Sequence, residues 1–515
     1  RNRFVMTNTI DLYANYNRKI GEDFELGAMV GHSFLKTRSR TSYIDAQNYP
    51  SPAFDVASVA ANIVDASAGL SEYAIESYFA RLSLAYKDRY VVNATIRTDG
   101  SSRFAPDCRW GWFPSVSVGW NVSNESFWNA EKTDLKIRAS YGRTGNQDGI
   151  SNYGWQALIS GGVNYGGQSG IAISSSGNDR LTWETADQYN AGFDLSFLGG
   201  KINMIADVYL KNTNNLLYSK PVHATTGETS ILSNIGSMRN KGVEFTINTH
   251  LNLGKVLWSS SFNIARNVNK LTSLLEDDLL SIGANRALKL GRTVGSWYIF
   301  RTDGIYQYDG EVPQALYDKG VRAGDVKYWD RNGDGNITDD DRIVTGNPNP
   351  KFSGGWNNTF KYKGLELSLF FTYSYGNDVY ASWMIHGSKP GYTRSLLKAY
   401  ADNRWTGPGT SDKYPRAIYS YSGWNGKNST MYLTDGSFIR LRSVTLGYTF
   451  PQRLVSKIHL KGLRVYAQGD NVFLCSRYPG WDPETSVNLD PRFYGEDNDG
   501  VPQPRIFKLG VNITF

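Results

Sequence analysis

Apolar side chains recur at every second position along this sequence, in runs of about 10–14 residues. Trp110, Trp112, Pro114, Val116, Val118, Trp120 and Val122 fall on one face, and Ser115, Ser117, Gly119 and Asn121 on the other. Tyr78, Ala80, Leu82, Leu84 and Tyr86 alternate in the same way with Ser77, Arg81, Ser83 and Lys87. Tyr189 to Phe197 and Leu365 to Tyr375 repeat the pattern. Successive side chains of a strand point to opposite faces, so each run predicts a strand with one greasy and one wet side. Globular strands average about 5–6 residues; a tilted membrane crossing needs about 9–11. About 15 runs are found, near 4–18, 22–35, 74–87, 89–102, 110–122, 134–145, 184–198, 200–217, 238–252, 256–270, 351–362, 364–376, 436–450, 462–474 and 505–515.

This pattern explains a composition that otherwise looks soluble. The mean hydropathy is −0.43, the average of two opposed faces. No run of about 18 apolar residues is present, which excludes transmembrane helices. Two Cys cannot staple 515 residues. The net charge of +7 is small for this length and no Lys/Arg-rich run occurs, so nucleic acid is not an expected partner. Aromatics make up 14% and close many apolar faces, as interface girdles do. Short connections such as Lys87-Asp88, Gly199-Gly200 and Lys363-Gly364 alternate with long segments such as 36–73, 146–183, 271–350, 377–435 and 475–504. Short periplasmic turns and long outside loops belong to outer-membrane barrels. The expected fold is all-β: a transmembrane antiparallel β-barrel, multi-pass in a bacterial outer membrane, with the lipid bilayer as its surroundings. Phe507, Leu509, Val511, Ile513 and the terminal Phe515 share one face, the pattern of an outer-membrane assembly signal. An odd strand count cannot close a bacterial single-chain barrel. Residues 1–515 are therefore read as a portion of one barrel domain, starting internally at Arg1, with the missing strands supplied by another chain or by an absent N-terminal part. A soluble sandwich, propeller or solenoid is the competing reading; the lack of a fixed repeat weighs against the last two.

Several stretches carry a family likeness: SYFARLSLAYKDRYVVNATIRTDGSSRF (77–104), WFPSVSVGW (112–120), LKIRASYGRTGNQ (135–147), SNIGSMRNKGVEFTI (233–247), GNPNPKFSGGWNNTFKYKGLELSLFF (346–371) and DGSFIRLRSVTLGYTFP (435–451). In these the chain resembles the C-terminal part of a SusC/RagA-type TonB-dependent transporter of Bacteroidetes outer membranes. The resemblance implies a barrel of about 22 strands, of which about 15 are present here. It implies a plug domain, which has no counterpart in this chain, and a TonB partner acting through that absent N-terminal part. It also implies a SusD-like surface lipoprotein as lid, and import of oligosaccharides or oligopeptides. A passive porin or a structural or adhesive barrel is the alternative, and a secreted glycan-binding protein a third.

One motif carries chemistry of its own. Residues 330–341 read DRNGDGNITDDD, within the long 271–350 loop. Asp330, Asn332, Asp334, Asn336, Thr338 and Asp341 fill the oxygen-donor positions of an EF-hand-type loop, with Gly335 at its sharp turn. Ile337 can anchor the loop by packing. Asp341 stands where Glu is usual, and its shorter arm weakens bidentate reach. The segment reads as a weak structural Ca²⁺ site or as an Asx-rich turn without an ion.

Eight Trp fall in or beside the outside loops: Trp155, Trp183, Trp297, Trp329, Trp383, Trp405, Trp424 and Trp481. Trp383, Trp405, Tyr419, Tyr421 and Trp424 are candidate substrate-binding residues, since flat rings stack on sugars or peptide side chains. The competing reading, favoured for any single Trp, is that it packs loop against loop. Arg81, Arg97, Lys136 and Arg138 face the lumen; a basic wall for an anionic solute is one reading, and pairing with Asp99, Asp194 and Asp207 or with a plug is the one expected. The five His are scattered, no catalytic motif appears, and no enzyme activity is expected. Cys108 and Cys475 are expected to be unpaired thiols.

Overall fold

The computed structural model describes every residue except 55, 130–131, 224, 226–227, 229, 275–277, 391–394 and 420–422. Its main sheet has fifteen strands, hydrogen-bonded in sequence order. They are β1 (Asn2–Ile20), β2 (Phe24–Gln47), β3 (Asn62–Tyr86), β4 (Tyr90–Ser101), β5 (Trp110–Asn121), β6 (Thr133–Asn146), β7 (Glu184–Phe197), β8 (Ile202–Asn214), β9 (Ser237–Leu253), β10 (Val256–Ser273), β11 (Phe352–Tyr362), β12 (Leu365–Tyr375), β13 (Phe438–Thr449), β14 (Gly462–Ser476) and β15 (Ile506–Thr514). Every run expected from alternation is a strand. Among the described residues, no helix is long and apolar enough to cross a membrane.

The chain divides into two compact units. The first comprises Arg1–Ala130, Leu135–Gly192 and Tyr209–Met238, the second Glu131–Asp134, Phe193–Val208 and Arg239–Phe515. In the first, pairing aligns like with like. Tyr16, Ala28, Leu82, Ala94, Val116 and Tyr141 form one continuous apolar rung across β1–β6. The next rung toward the short turns, Asn17, Gly27, Ser83, Asn93, Ser117 and Ser140, is wholly polar and faces the other way. In the second unit Phe360, Leu367, Leu446, Ala467 and Leu509 make the equivalent apolar rung across β11–β15. Leu82 and Leu446 on these rungs are 43% and 50% exposed, because lipid, not protein, is their apolar partner. A one-residue slip of any strand would turn its whole apolar set into the polar face, so the register is strongly specified.

Aromatic belts bound the band. Phe24, Tyr86, Tyr90 and Trp120 follow one another across β2–β5 beside the short turns, with ring centroids 4.5, 6.4 and 6.3 Å apart. Tyr78 lies 6.1 Å from Trp110 and 4.9 Å from His32 at the other end. Tyr86 and Tyr78 on β3 are separated by roughly 27 Å of strand, which suits a tilted crossing of an apolar band about 25 Å tall. Inside, Arg97 pairs with Asp99 at 2.7 Å, as expected from the sequence, and donates to Ser77.

The 36–73 segment differs from its expected loop. β2 and β3 run as one long hairpin, and only 48–61 connects them. Thr37, Ser39, Thr41 and Tyr43 are polar opposite Lys36, Arg38, Arg40 and Ser42, so neither face alternates in hydrophobicity and the period-two signal disappears. Ladder hydrogen bonds nevertheless hold register as far as Gln47↔Asn62.

Candidate functional site

The second unit's three long connections, 274–351, 376–437 and 477–505, fold together into a cap with its own core. Four short strands (Leu279–Ile282, Arg286–Lys289, Trp297–Phe300, Arg342–Thr345) form one small sheet. Asp378–Ala381 pairs antiparallel with Leu433–Asp435 and in parallel with Glu496–Asp497, joining two of the connections. Trp297, Ile299, Val379, Tyr380, Met384, Tyr432 and Tyr478 make one buried cluster. Phe300, Ile305, Tyr306, Leu316, Val326, Tyr328 and Ile337 make a second.

Buried charges stitch the connections together. Asp325, 2% exposed, takes a bidentate pair from Arg416 (2.8 and 3.1 Å), a hydrogen bond from Asn425 Nδ2 (3.0 Å) and one from the Arg322 N–H (2.9 Å). The same pairing raises the Arg416 pKa. Arg286 is fully buried on the Trp297 ring, 4.1 Å away, and donates to the carbonyls of Gly295, Phe493 and Tyr494. Burial lowers its pKa to about 10, against the opposing pull of Glu496. Arg440, at the outer end of β13, reaches Asp482 at 2.5 Å, and its Nε lies 2.6 Å from Glu484, off the hydrogen-bond line. Glu484 also accepts from Arg442 at 2.6 Å. The Tyr478 hydroxyl donates to buried Asp497 at 2.5 Å, and burial pushes that phenol far up.

The candidate ring residues are placed as follows. Trp383 leans on the first cluster and donates to the Tyr478 hydroxyl at 3.0 Å. Trp405 and Trp424 lean on the second and donate to Gln307 (3.1 Å) and the Val326 carbonyl (2.9 Å). These three indoles thus hold the cap together. Tyr419 is 82% exposed. Tyr421 lies outside the described residues. Trp481, 80% exposed, offers an open ring beside the Asp482–Arg440 pair.

The 330–341 loop is drawn tight by its own side chains. Asp330 accepts from the N–H groups of Gly333 (2.7 Å) and Gly335 (2.8 Å). Asp341, fully buried, accepts from Arg331 (2.9 Å) and Thr338 (2.8 Å) and closes a capping box with Thr338. Asn332 and Asp334 accept from the amides two residues on, and Lys319 reaches Asn336 Oδ1 at 2.8 Å. Among the described residues, no three acidic, His or Cys side chains converge on one point. Each carboxylate oxygen bound to one amide keeps a further lone pair, so the donor chemistry is compatible with a hard cation, although the side chains are not gathered around one. Ile337 is buried in the second cluster, as its position in the motif suggests.

In the first unit, Phe104, Phe113, Ile150, Leu181 and Trp183 form a smaller core. Trp183 and Trp155 donate to the carbonyls of Arg109 (2.9 Å) and Ser102 (3.2 Å). Cys108 and Cys475 are both free thiols. The sequence reading missed Arg286, Asp325, Arg416, Arg440, Asp482 and Glu484. Only Arg440 and Arg442 gave a signal, as two charges two residues apart at the mouth of an amphipathic strand.

Fifteen register-locked amphipathic strands, two aromatic belts and a folded cap of long connections define an outer-membrane β-barrel wall. The chain belongs to the TonB-dependent receptor-like β-barrel family, which it matches over residues 1–472. It is 30% identical to TonB-dependent receptor P3 of Formosa agariphila over 99% of its length and 52% of that protein's. It is 29% identical to TonB-dependent receptor SusC of Bacteroides thetaiotaomicron, over 98% of this chain and 50% of SusC. Among solved structures, the RagAB peptide transporter matches all of this chain and 56% of its own with a TM-score of 0.86 at 22% identity. The chain spans about half the length of the curated relatives it matches. The SusC/RagA-type likeness read from the sequence stands.

Proposed function

We propose that the protein supplies the barrel wall and extracellular cap of a TonB-dependent importer of oligosaccharides or oligopeptides. In this reading a SusD-like lipoprotein closes over the cap, and a plug carried by the rest of the polypeptide answers to TonB. The observation that supports it is the family match over 1–472 together with the likeness to SusC along nearly the whole chain. The cap fits the role: a mouth built of buried ion pairs and packed rings offers a firm edge for a lid, and Trp481 and Tyr419 present rings to solute. We further propose that the 330–341 loop takes a Ca²⁺ ion as a structural brace.

The test is purification of the full-length protein from its native membrane, with uptake of labelled oligosaccharides and oligopeptides measured in cells with and without TonB. The reading expects a co-purifying surface lipoprotein and TonB-dependent uptake. Uptake indifferent to TonB, with free solute flux through reconstituted protein, would replace it with the passive porin.

A further inference from the structure

We propose that Lys36, Arg38 and Arg40 on β2 form a docking ladder for the phosphate-bearing headgroup of an outer-leaflet glycolipid. The pairing register assigns their face. Lys36 is level with Asn8 and Ala74, Arg38 with Met6 and Glu72, and Arg40 with Phe4 and Leu70. These positions continue the rungs of Leu12, His32 and Tyr78 and of Tyr16, Ala28 and Leu82, so the three cations point to the lipid side of the wall. All three are exposed.

Their height points to the kind of headgroup. The belt at His32 and Tyr78 marks the upper edge of the apolar band. With strands tilted by about 40°, Lys36 stands about 10 Å above that belt, Arg38 about 15 Å and Arg40 about 20 Å. The polar layer of a simple phospholipid leaflet is only about 5–8 Å deep. A ladder of this height matches a taller, sugar-bearing headgroup, and long basic side chains also reach back toward the band.

The charge balance points the same way. Glu72 alone serves Lys36 (3.3 Å) and Arg38 (3.0 Å), and Arg40 makes no ion pair among the described residues. At the short-turn end Lys19 pairs with Glu25 (2.7 Å), Lys87 with Asp23 (3.1 Å) and Arg89 with Glu125 (3.3 Å). On the lipid side of β2 and β3 above the belt, the three cations outnumber the two carboxylates Glu72 and Glu76, and Arg38 and Arg40 can grip phosphate oxygens in a fork.

The test is a binding isotherm of the full-length protein in non-ionic detergent with rough lipopolysaccharide, before and after enzymatic removal of its phosphates. The wild type should lose on the order of tenfold or more in affinity when the phosphates are removed or when K36Q/R38Q/R40Q is introduced. The two losses should not add, and K19Q/K87Q should bind as the wild type does. Unchanged binding by the triple variant, or indifference to dephosphorylation, overturns the proposal. So does complete displacement by inorganic phosphate at the probe's concentration, which would make the ladder a site for soluble anions. If the triple variant fails to fold, R40Q alone is decisive, because Arg40 makes no ion pair among the described residues; it should weaken binding about fivefold, and wild-type affinity in R40Q overturns the proposal.

Discussion

Replacing Asp325 with Asn should open the cap without dismantling the barrel. Asp325 takes both fork hydrogen bonds of Arg416 and two more from Asn425 and the Arg322 amide, at 2.8–3.1 Å, and it is 2% exposed. Asn keeps the shape but loses the charge, and it turns a donor toward a guanidinium that has only donors. Breaking a buried pair by removing one partner costs about 3–5 kcal/mol. Arg416 is 32% exposed on its side chain, which places the expected loss at the lower end, about 3 kcal/mol. That corresponds to roughly a hundredfold rise in the open population of connections 274–351 and 376–437. Limited proteolysis under conditions where cleavage tracks the open population reads this directly. The variant should be cut in those connections about a hundred times faster, with strand protection intact. R416Q should behave similarly, and the double variant should cost less than the two losses added. Cleavage of D325N within threefold of wild type would refute the claim that this pair holds the two connections together.

Four further outcomes follow from the geometry. Gly364→Ala should lower barrel stability by about 1–3 kcal/mol, because φ is +88° and a Cβ would sit 2.4 Å from the Thr449 carbonyl oxygen; Gly254→Ala, with φ +63° and open space, should cost less on the same heat-modifiability gel. Tyr478→Phe removes the donor to buried Asp497 and the acceptor for Trp383, and should destabilise the cap by about 1–3 kcal/mol in the proteolysis assay. Burial raises the Asp378 pKa above its usual value, partly offset by the Asn347 amide. A raised carboxyl pKa stabilises the fold at acid pH and is lost as pH climbs through the raised value; Asp378→Asn should flatten that limb of cap stability. Titrating Ca²⁺ into the full-length protein should give binding heat and slow cleavage near 330–341, both abolished in D330N/D334N; no heat and no response to chelator would remove the ion.

The strands were legible because lipid imposes a one-dimensional rule. Every second residue of Tyr78–Tyr86 must be apolar, and pairing only has to align runs already written that way. The 36–47 and 62–73 extensions escaped the rule, since above the apolar band both faces of Thr37–Tyr43 are polar and the alternation disappears. The cap was illegible for a different reason. Its core joins Trp297, Tyr380 and Tyr478, drawn from three connections, and no local period announces that meeting. The loop Trp residues lie outside the barrel strands, as the sequence reading expects. Yet Trp383, Trp405 and Trp424 spend their N–H groups on Tyr478, Gln307 and Val326, and sequence alone cannot distinguish a ring turned inward from one turned to solute.

The two solvents of this molecule also explain where its burial lies. The largest fully buried side chains, including Trp297, Arg286, Tyr380, Tyr400 and Tyr432, belong to the connections, whereas Leu82 on β3 and Leu446 on β13 are 43% and 50% exposed. A strand in lipid gains its apolar contacts from acyl chains and its specificity from ladder hydrogen bonds, so it needs little protein core. The connections meet water and must build a core of their own, and their long spans gather enough rings to do so. Their buried ion pairs then follow from geometry. Arg440 and Arg442 sit where β13 leaves the lipid, and Asp482 and Glu484 descend to them from the last connection. Neutralising those carboxylates or replacing the arginines would loosen the cap from the wall, whereas the apolar rungs below would stay paired. The cap and the wall are thus separable in energy although continuous in sequence.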